Sequence, residues 1–154
     1  MFPQLSGHNS AHIPLEHVRV ALEVEIPSDV RYIESIVELV AGQCAALAYA
    51  PRHIALNVPV ALTEALSNAI LRGNAENHTK QVRVRASLDP DRLILEVSDE
   101  GRGFDLGDCM RDPTTPENVR REDGRGLFLM QQLMDRVEQY DDHGNVVRLT
   151  LRRV

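Results

Sequence analysis

Several things are scarce in this 154-residue chain, and each scarcity closes off a class of function. There are two cysteines, Cys44 inside an apolar helical pattern and Cys109 in a polar stretch, which leaves no basis for a disulfide framework or a thiolate metal site. His53, His78 and His143 are scattered without metal-ligand spacing. Positive charge is short as well: 17 Lys and Arg against 23 Asp and Glu give a formal net charge of −6, the wrong sign for a generic nucleic-acid face. No uninterrupted apolar run approaches the ~18–20 residues that cross a bilayer. The first sixteen residues lack the basic start and apolar core of a signal peptide. A Gly-x-x-x-x-Gly-Lys-Ser/Thr phosphate loop is also missing.

What remains is an ordinary globular composition, 43% hydrophobic and 26% charged, in a chain long enough for one core. A reducing cytoplasm is the expected setting, with residues 1–16 a flexible tail and 17–154 one domain. Val18, Val20, Leu22, Val24 and Ile26 alternate as in a strand. Pro27-Ser28-Asp29 then opens a helix on which Ile33, Ile36, Val37 and Val40 recur, up to about Tyr49, with Pro51 as its stop. A second helix is expected from Asn57 as N-cap, through Pro59 in its first turn, to Gly73. Residues 80–99 read as a hairpin turning at Asp89-Pro90-Asp91.

From Phe104 to Asp123 no period is sustained, and so long an irregular stretch inside a compact domain predicts a functional lid. Leu127, Met130, Leu133, Met134 and Val137 mark a third helix. A last strand pair hinges at Asp142-His143-Gly144-Asn145, with Val147, Leu149 and Leu151 alternating. The order β, α, α, β, β, lid, α, β, β predicts an α+β sandwich, a mostly antiparallel sheet with about three helices on one face.

Three polar clusters interrupt this pattern. Glu64 and Asn68 are four apart, so on a helix they share a face, where a carboxylate can deprotonate a hydroxyl and an amide oxygen can complete the shell of a Mg²⁺. Asp99 closes a strand and is followed by Gly101 and Gly103, which permit close ligand approach; a carboxylate there can accept a hydrogen bond from an exocyclic amine. Gly124 and Gly126 stand where the lid meets the third helix, so that free N–H groups and the positive helix end face an anion.

The stretches from Leu62 to Asn74 (LTEALSNAILRGN), Val97 to Asp105 (VSDEGRGFD) and Glu122 to Val137 (EDGRGLFLMQQLMDRV) resemble the N, G1 and G2 boxes of the GHKL ATPase superfamily. The short chain, with Glu64 in the first box, resembles the bacterial anti-sigma factor serine/threonine kinases within it. The resemblance implies a two-layer Bergerat-type sandwich with an ATP lid, and ATP and Mg²⁺ as cofactors. It implies Glu64 as catalytic base, Asn68 as Mg²⁺ ligand and Asp99 as adenine anchor. Gly101 and Gly103 would flank the base, Gly124 and Gly126 the phosphates. Arg125 would reach a phosphate, and Thr150 would lie near adenine. The implied partners are a sigma factor, an anti-anti-sigma protein of the STAS type as phosphoacceptor, and a second copy of the chain in a homodimer, with no nucleic acid and no membrane. The chain departs from the pattern at Arg72, where many relatives carry histidine. A rival reading is a nucleotide-binding module that sequesters a partner without turnover. A detached histidine kinase catalytic domain fits less well, because Glu64 replaces the usual first asparagine.

Overall fold

The computed structural model describes residues 15–101 and 122–154. Gly103, Cys109 and most of the expected lid therefore lie outside the described residues, as do residues 1–14 of the expected tail. Five strands, β1 (Val20–Pro27), β2 (Gln81–Leu88), β3 (Arg92–Asp99), β4 (Arg136–Asp141) and β5 (Asn145–Arg152), form one sheet in the order β1-β2-β3-β5-β4. Every neighbouring pair is antiparallel. The helices α1 (Ile33–Ala46), α2 (Val58–Asn68) and α3 (Glu122–Leu133) complete the α+β sandwich expected from the sequence.

Strand alternation decides which face is the core. Val82, Val84, Ala86 and Leu88 of β2, Leu93, Leu95 and Val97 of β3, and Val147, Leu149 and Leu151 of β5 are buried, together with Val40 and Cys44 of α1 and Leu62, Leu66 and Met130 of α2 and α3. Burial among these apolar neighbours pushes the Cys44 thiol up to about 11, so it is an inert core residue. The β2–β3 hairpin turns as its sequence demands: Asp89 Oδ1 accepts the N–H groups of Asp91 (2.7 Å) and Arg92 (2.9 Å).

Several helix boundaries differ from expectation. Asp29 does cap the first helical segment, its Oδ1 accepting the Arg31 N–H at 2.9 Å, but α1 ends at Ala46 and Ala48 turns the chain with φ 59°. Pro51 does not stop a helix; it starts the next one, which runs unbroken over residues 51–73. Asn57 is consequently no N-cap: its backbone is helical and its side chain donates instead to the Leu133 carbonyl at 2.7 Å, tying down the end of α3. Pro59 lacks an N–H and would crowd the preceding turn. The helix absorbs it by widening to a π-turn at His53–Asn57, where the Val58 N–H bonds the His53 carbonyl. Val137, expected on the third helix, is instead on β4, opposite Leu149.

Among the described residues one helix, His53–Gly73, is long and apolar enough by composition to cross a membrane. It is the core helix of the domain, with Val58, Ala61, Leu62, Ala65, Leu66, Ala69 and Ile70 buried. No single apolar run in the sequence signals it, because Asn57, Glu64, Asn68 and Arg72 interrupt the pattern.

Candidate functional site

The core helix carries the first cluster. Asn68 is buried at the end of α2 and Glu64 is half-buried one turn earlier, so the pair shares a helix face as its spacing requires. Burial raises the Glu64 carboxyl above its ordinary pKa. On α3, Gly126 lies against this carboxylate: a Cβ added to it would lie 2.3 Å from Glu64 Oε2, so a larger residue there requires the Glu64 side chain to shift. The α3 helix begins at Glu122, earlier than expected, so Gly124 and Gly126 fall inside its first turns rather than in front of it, and the backbone of Arg125 lies between them.

After Asn68 the helix widens again, into a π-turn at Ala69–Gly73 that closes with the Asn74 N–H on the Ala69 carbonyl at 2.9 Å. This brings Gly73 against the end of β3. A Cβ on Gly73 would stand 2.2 Å from Asp99 Oδ2, and one on Gly101 would stand 1.9 Å from the Gly73 carbonyl oxygen. Asp99 itself is 4% exposed. Its Oδ1 accepts the Gly101 N–H at 2.9 Å and its Oδ2 accepts Asn145 Nδ2 at 3.2 Å. Burial outweighs these bonds, with a smaller opposing pull from Lys80, and its pKa is raised. Replacing Gly101 with alanine is expected to lower stability by about 1–3 kcal/mol through overpacking and to weaken ATP binding, because the collision is with backbone and no rotamer relieves it. Thermal melts beside ATP titration check this; an alanine variant with wild-type melting and affinity would show the contact to be dispensable.

Thr150 does not join this group. It pairs with Ile94, five register positions from the Asp99–Asn145 pair, or about 17 Å along the strands. It also has the parity of Arg148, opposite to that of core residues Leu149 and Leu151, so it lies on the face away from the helices. The residue of β5 that does reach Asp99 is Asn145, which the sequence pattern marks only as a turn position.

A cavity of about 490 Å³ opens on that far face, and its lining includes Arg83, Arg85, Glu96, Ser98 and Tyr140 as well as Asp99 and Glu100. Cross-strand ion pairs already satisfy much of its charge, including Arg83–Glu25 at 2.8 Å and Arg148–Glu96 at 3.4 Å.

The donor set suits a nucleotide with Mg²⁺. Among the described residues no three His, Cys, Asp or Glu side chains gather into a metal cage. A cation held through the Asn68 amide oxygen would therefore draw its remaining ligands from phosphate oxygens and water, which is the usual habit of Mg²⁺. Glycines at 73 and 101 let the chain pack directly against Asp99, where a Cβ would overlap its carboxylate or the Gly73 carbonyl.

A sandwich with an acidic residue on its core helix, a buried aspartate at a strand end and glycines at their contacts defines a nucleotide-binding domain of the histidine kinase type. The chain belongs to the histidine kinase-like ATPase domain family, whose model matches residues 26–151, and within it to the RsbW-like anti-sigma factor kinases. The serine-protein kinase RsbW of Bacillus licheniformis is 33% identical over 135 residues, covering 84% of this chain and 83% of that protein. RsbW of Bacillus subtilis is 31% identical over 134 residues, with the same coverage of 84% and 83%. Among solved structures, the RsbU and RsbW domains of a Mycobacterium tuberculosis protein share the fold, with a TM-score of 0.62 and 17% identity. That match covers 86% of this chain and 32% of the longer, two-domain one.

Proposed function

We propose that the protein is a cytoplasmic, Mg²⁺- and ATP-dependent serine/threonine protein kinase that doubles as an anti-sigma factor. It phosphorylates an anti-anti-sigma protein of the STAS type and sequesters a sigma factor, exchanging one partner for the other. The observation that carries this reading is Glu64, a carboxylate set on the rigid core helix, raised in pKa by burial and one turn from Asn68. A base whose pKa is lifted toward neutrality takes a proton better than an ordinary exposed carboxylate.

In the proposed step a serine or threonine Oγ of the antagonist attacks the γ-phosphorus. Its proton passes to Glu64, the bond to the β–γ bridging oxygen breaks, and ADP leaves. Asp99 accepts a hydrogen bond from the adenine amine and so fixes the other end of the nucleotide, while Gly124, Gly126 and Arg125 flank the phosphates, as Gly101 and Gly103 flank the base. Asn68 would hold Mg²⁺ through its amide oxygen, and the ion would supply charge neutralisation at the phosphate oxygens. Positioning of this kind is most of what phosphoryl transfer requires of a protein. The product gains roughly two negative charges, enough to loosen a protein interface built for a neutral hydroxyl.

A homodimer is part of the proposal. The sheet face away from the helices carries glutamates on β1 and β3 interleaved with arginines on β2 and β5 and pairs them within the sheet, so that a second copy related by two-fold symmetry can cover it without leaving these charges unpaired. The test is incubation of the protein with γ-labelled ATP, Mg²⁺ and the STAS-type protein of its own genome. Label on a serine or threonine of that protein is expected; ATP binding with no label would identify a sequestering module without turnover.

A further inference from the structure

Asn74 follows the last glycine of the core helix and is 1% exposed. A buried amide is costly unless its hydrogen bonds are met, and this one meets them across three strands. Its Nδ2 donates to Ser28 Oγ at 2.9 Å, just beyond β1, and to the Gln81 carbonyl at 3.0 Å, at the start of β2. Its Oδ1 accepts the Glu100 N–H at 2.8 Å, just beyond β3. Ser28, fully buried, passes the network on by donating to the Lys80 carbonyl at 2.7 Å. The Asn74 backbone is engaged too, its N–H closing the π-turn and its carbonyl accepting the Asn77 N–H at 2.9 Å.

The consequence lies in which peptide is held. Glu100 sits between Asp99 and Gly101, and the Gly101 N–H is itself a donor to Asp99 Oδ1. Holding the Glu100 N–H fixes the turn that aims the Asp99 carboxylate, from the same helix end that presents Asn68 and presses Gly73 against Asp99. We infer that Asn74 is a positioning residue for nucleobase selection: through the Glu100 amide it sets the direction in which Asp99 accepts from a purine's exocyclic amine. This inference rests on the adenine reading of Asp99 given above and adds the residue that enforces it.

The probe is a pair of nucleotides, ATP and purine riboside triphosphate, which lacks only the exocyclic amine. The wild-type protein is expected to prefer ATP. Asn74→Ala is expected to reduce that preference about tenfold, because the Glu100 N–H is freed and the turn carrying Asp99 and Gly101 loosens, leaving Asn145 alone to fix the carboxylate from outside that turn. Ser28→Ala, which removes a partner on the donor side and leaves the Glu100 bond intact, is expected to lower the melting temperature while keeping the preference. A wild-type protein that does not prefer ATP would remove the adenine reading and this inference with it. A clear wild-type preference retained in full by Asn74→Ala would remove this inference alone and leave Asn74 a structural staple. Should the alanine variant fail to fold, hydrogen exchange of the Glu100 amide in the wild-type protein decides: slower exchange with ATP than with purine riboside triphosphate is expected, and equal rates would overturn the proposal.

Discussion

Glu64→Gln is expected to cut phosphoryl transfer by about 10²–10⁴-fold, the usual worth of a positioned general base, while ATP still binds. Glutamine keeps the shape that fills the contact with Gly126 and removes only the ability to take a proton. The pH dependence follows from the same burial. Glu64 must be ionised to act as base, and its pKa is raised, so transfer in the wild-type protein rises with pH through that elevated value. Stability runs the other way. The folded protein holds a proton that the unfolded chain has already released, so the contribution of Glu64 is full below its unfolded pKa and is lost as pH rises through its folded one. At neutral pH the glutamine variant should therefore melt no lower than the wild type, with a flatter stability profile between the two pKa values. Transfer assays and thermal melts over the same pH series check both halves. Undiminished transfer in the variant would remove Glu64 from the role of base.

Asp99→Asn is expected to weaken ATP binding by at least about 30-fold, near 2 kcal/mol for a buried hydrogen bond to a charged acceptor. If the new amide keeps its oxygen toward the Gly101 N–H, its NH₂ group faces two donors, Asn145 Nδ2 and the adenine amine. Reversing the Asn145 amide would require Gln139 to reverse with it, because Asn145 Oδ1 accepts from Gln139 Nε2. Fold stability should change far less than affinity, since burial already raises the Asp99 pKa and a neutral side chain escapes that desolvation. Competition against a fluorescent nucleotide measures the affinity. A variant that binds ATP as the wild type does would show that Asp99 does not read the base.

The sheet was largely legible in the sequence because strand parity is a local signal: alternating apolar residues on β2, β3 and β5 and an Asp-Pro-Asp turn leave little choice of register. The same parity would have placed Thr150 correctly, since Leu149 and Leu151 are core residues and the position between them must face the other way. It would also have drawn attention to Asn145, which shares the core-facing parity of Val147. The core helix was harder. Its passage through Pro59 depends on a π-turn, and a proline in a first turn and a proline behind a π-turn look alike along the chain. Asn57 and Asn74 were illegible for a different reason: each is defined by partners 76 and 26–46 residues away, Leu133 for the first and Ser28 and Glu100 for the second. Nothing in a helical or strand period records such convergence. Glu64, Asn68, Asp99 and Gly101 stood out because polar residues and glycine at fixed offsets interrupt apolar runs, and the fold sets them along one helix and the strand end it meets. Gly103, Gly124 and Arg125 belong to the same motifs, and their side of the site rests on the family pattern.

The measurement that bears most directly on the account is calorimetric titration of the intact protein with ATP, with and without Mg²⁺. One ATP per chain, bound more tightly when Mg²⁺ is present, is the predicted result. No heat of binding under either condition would contradict it, leaving a domain that keeps the family's sandwich and has lost its nucleotide.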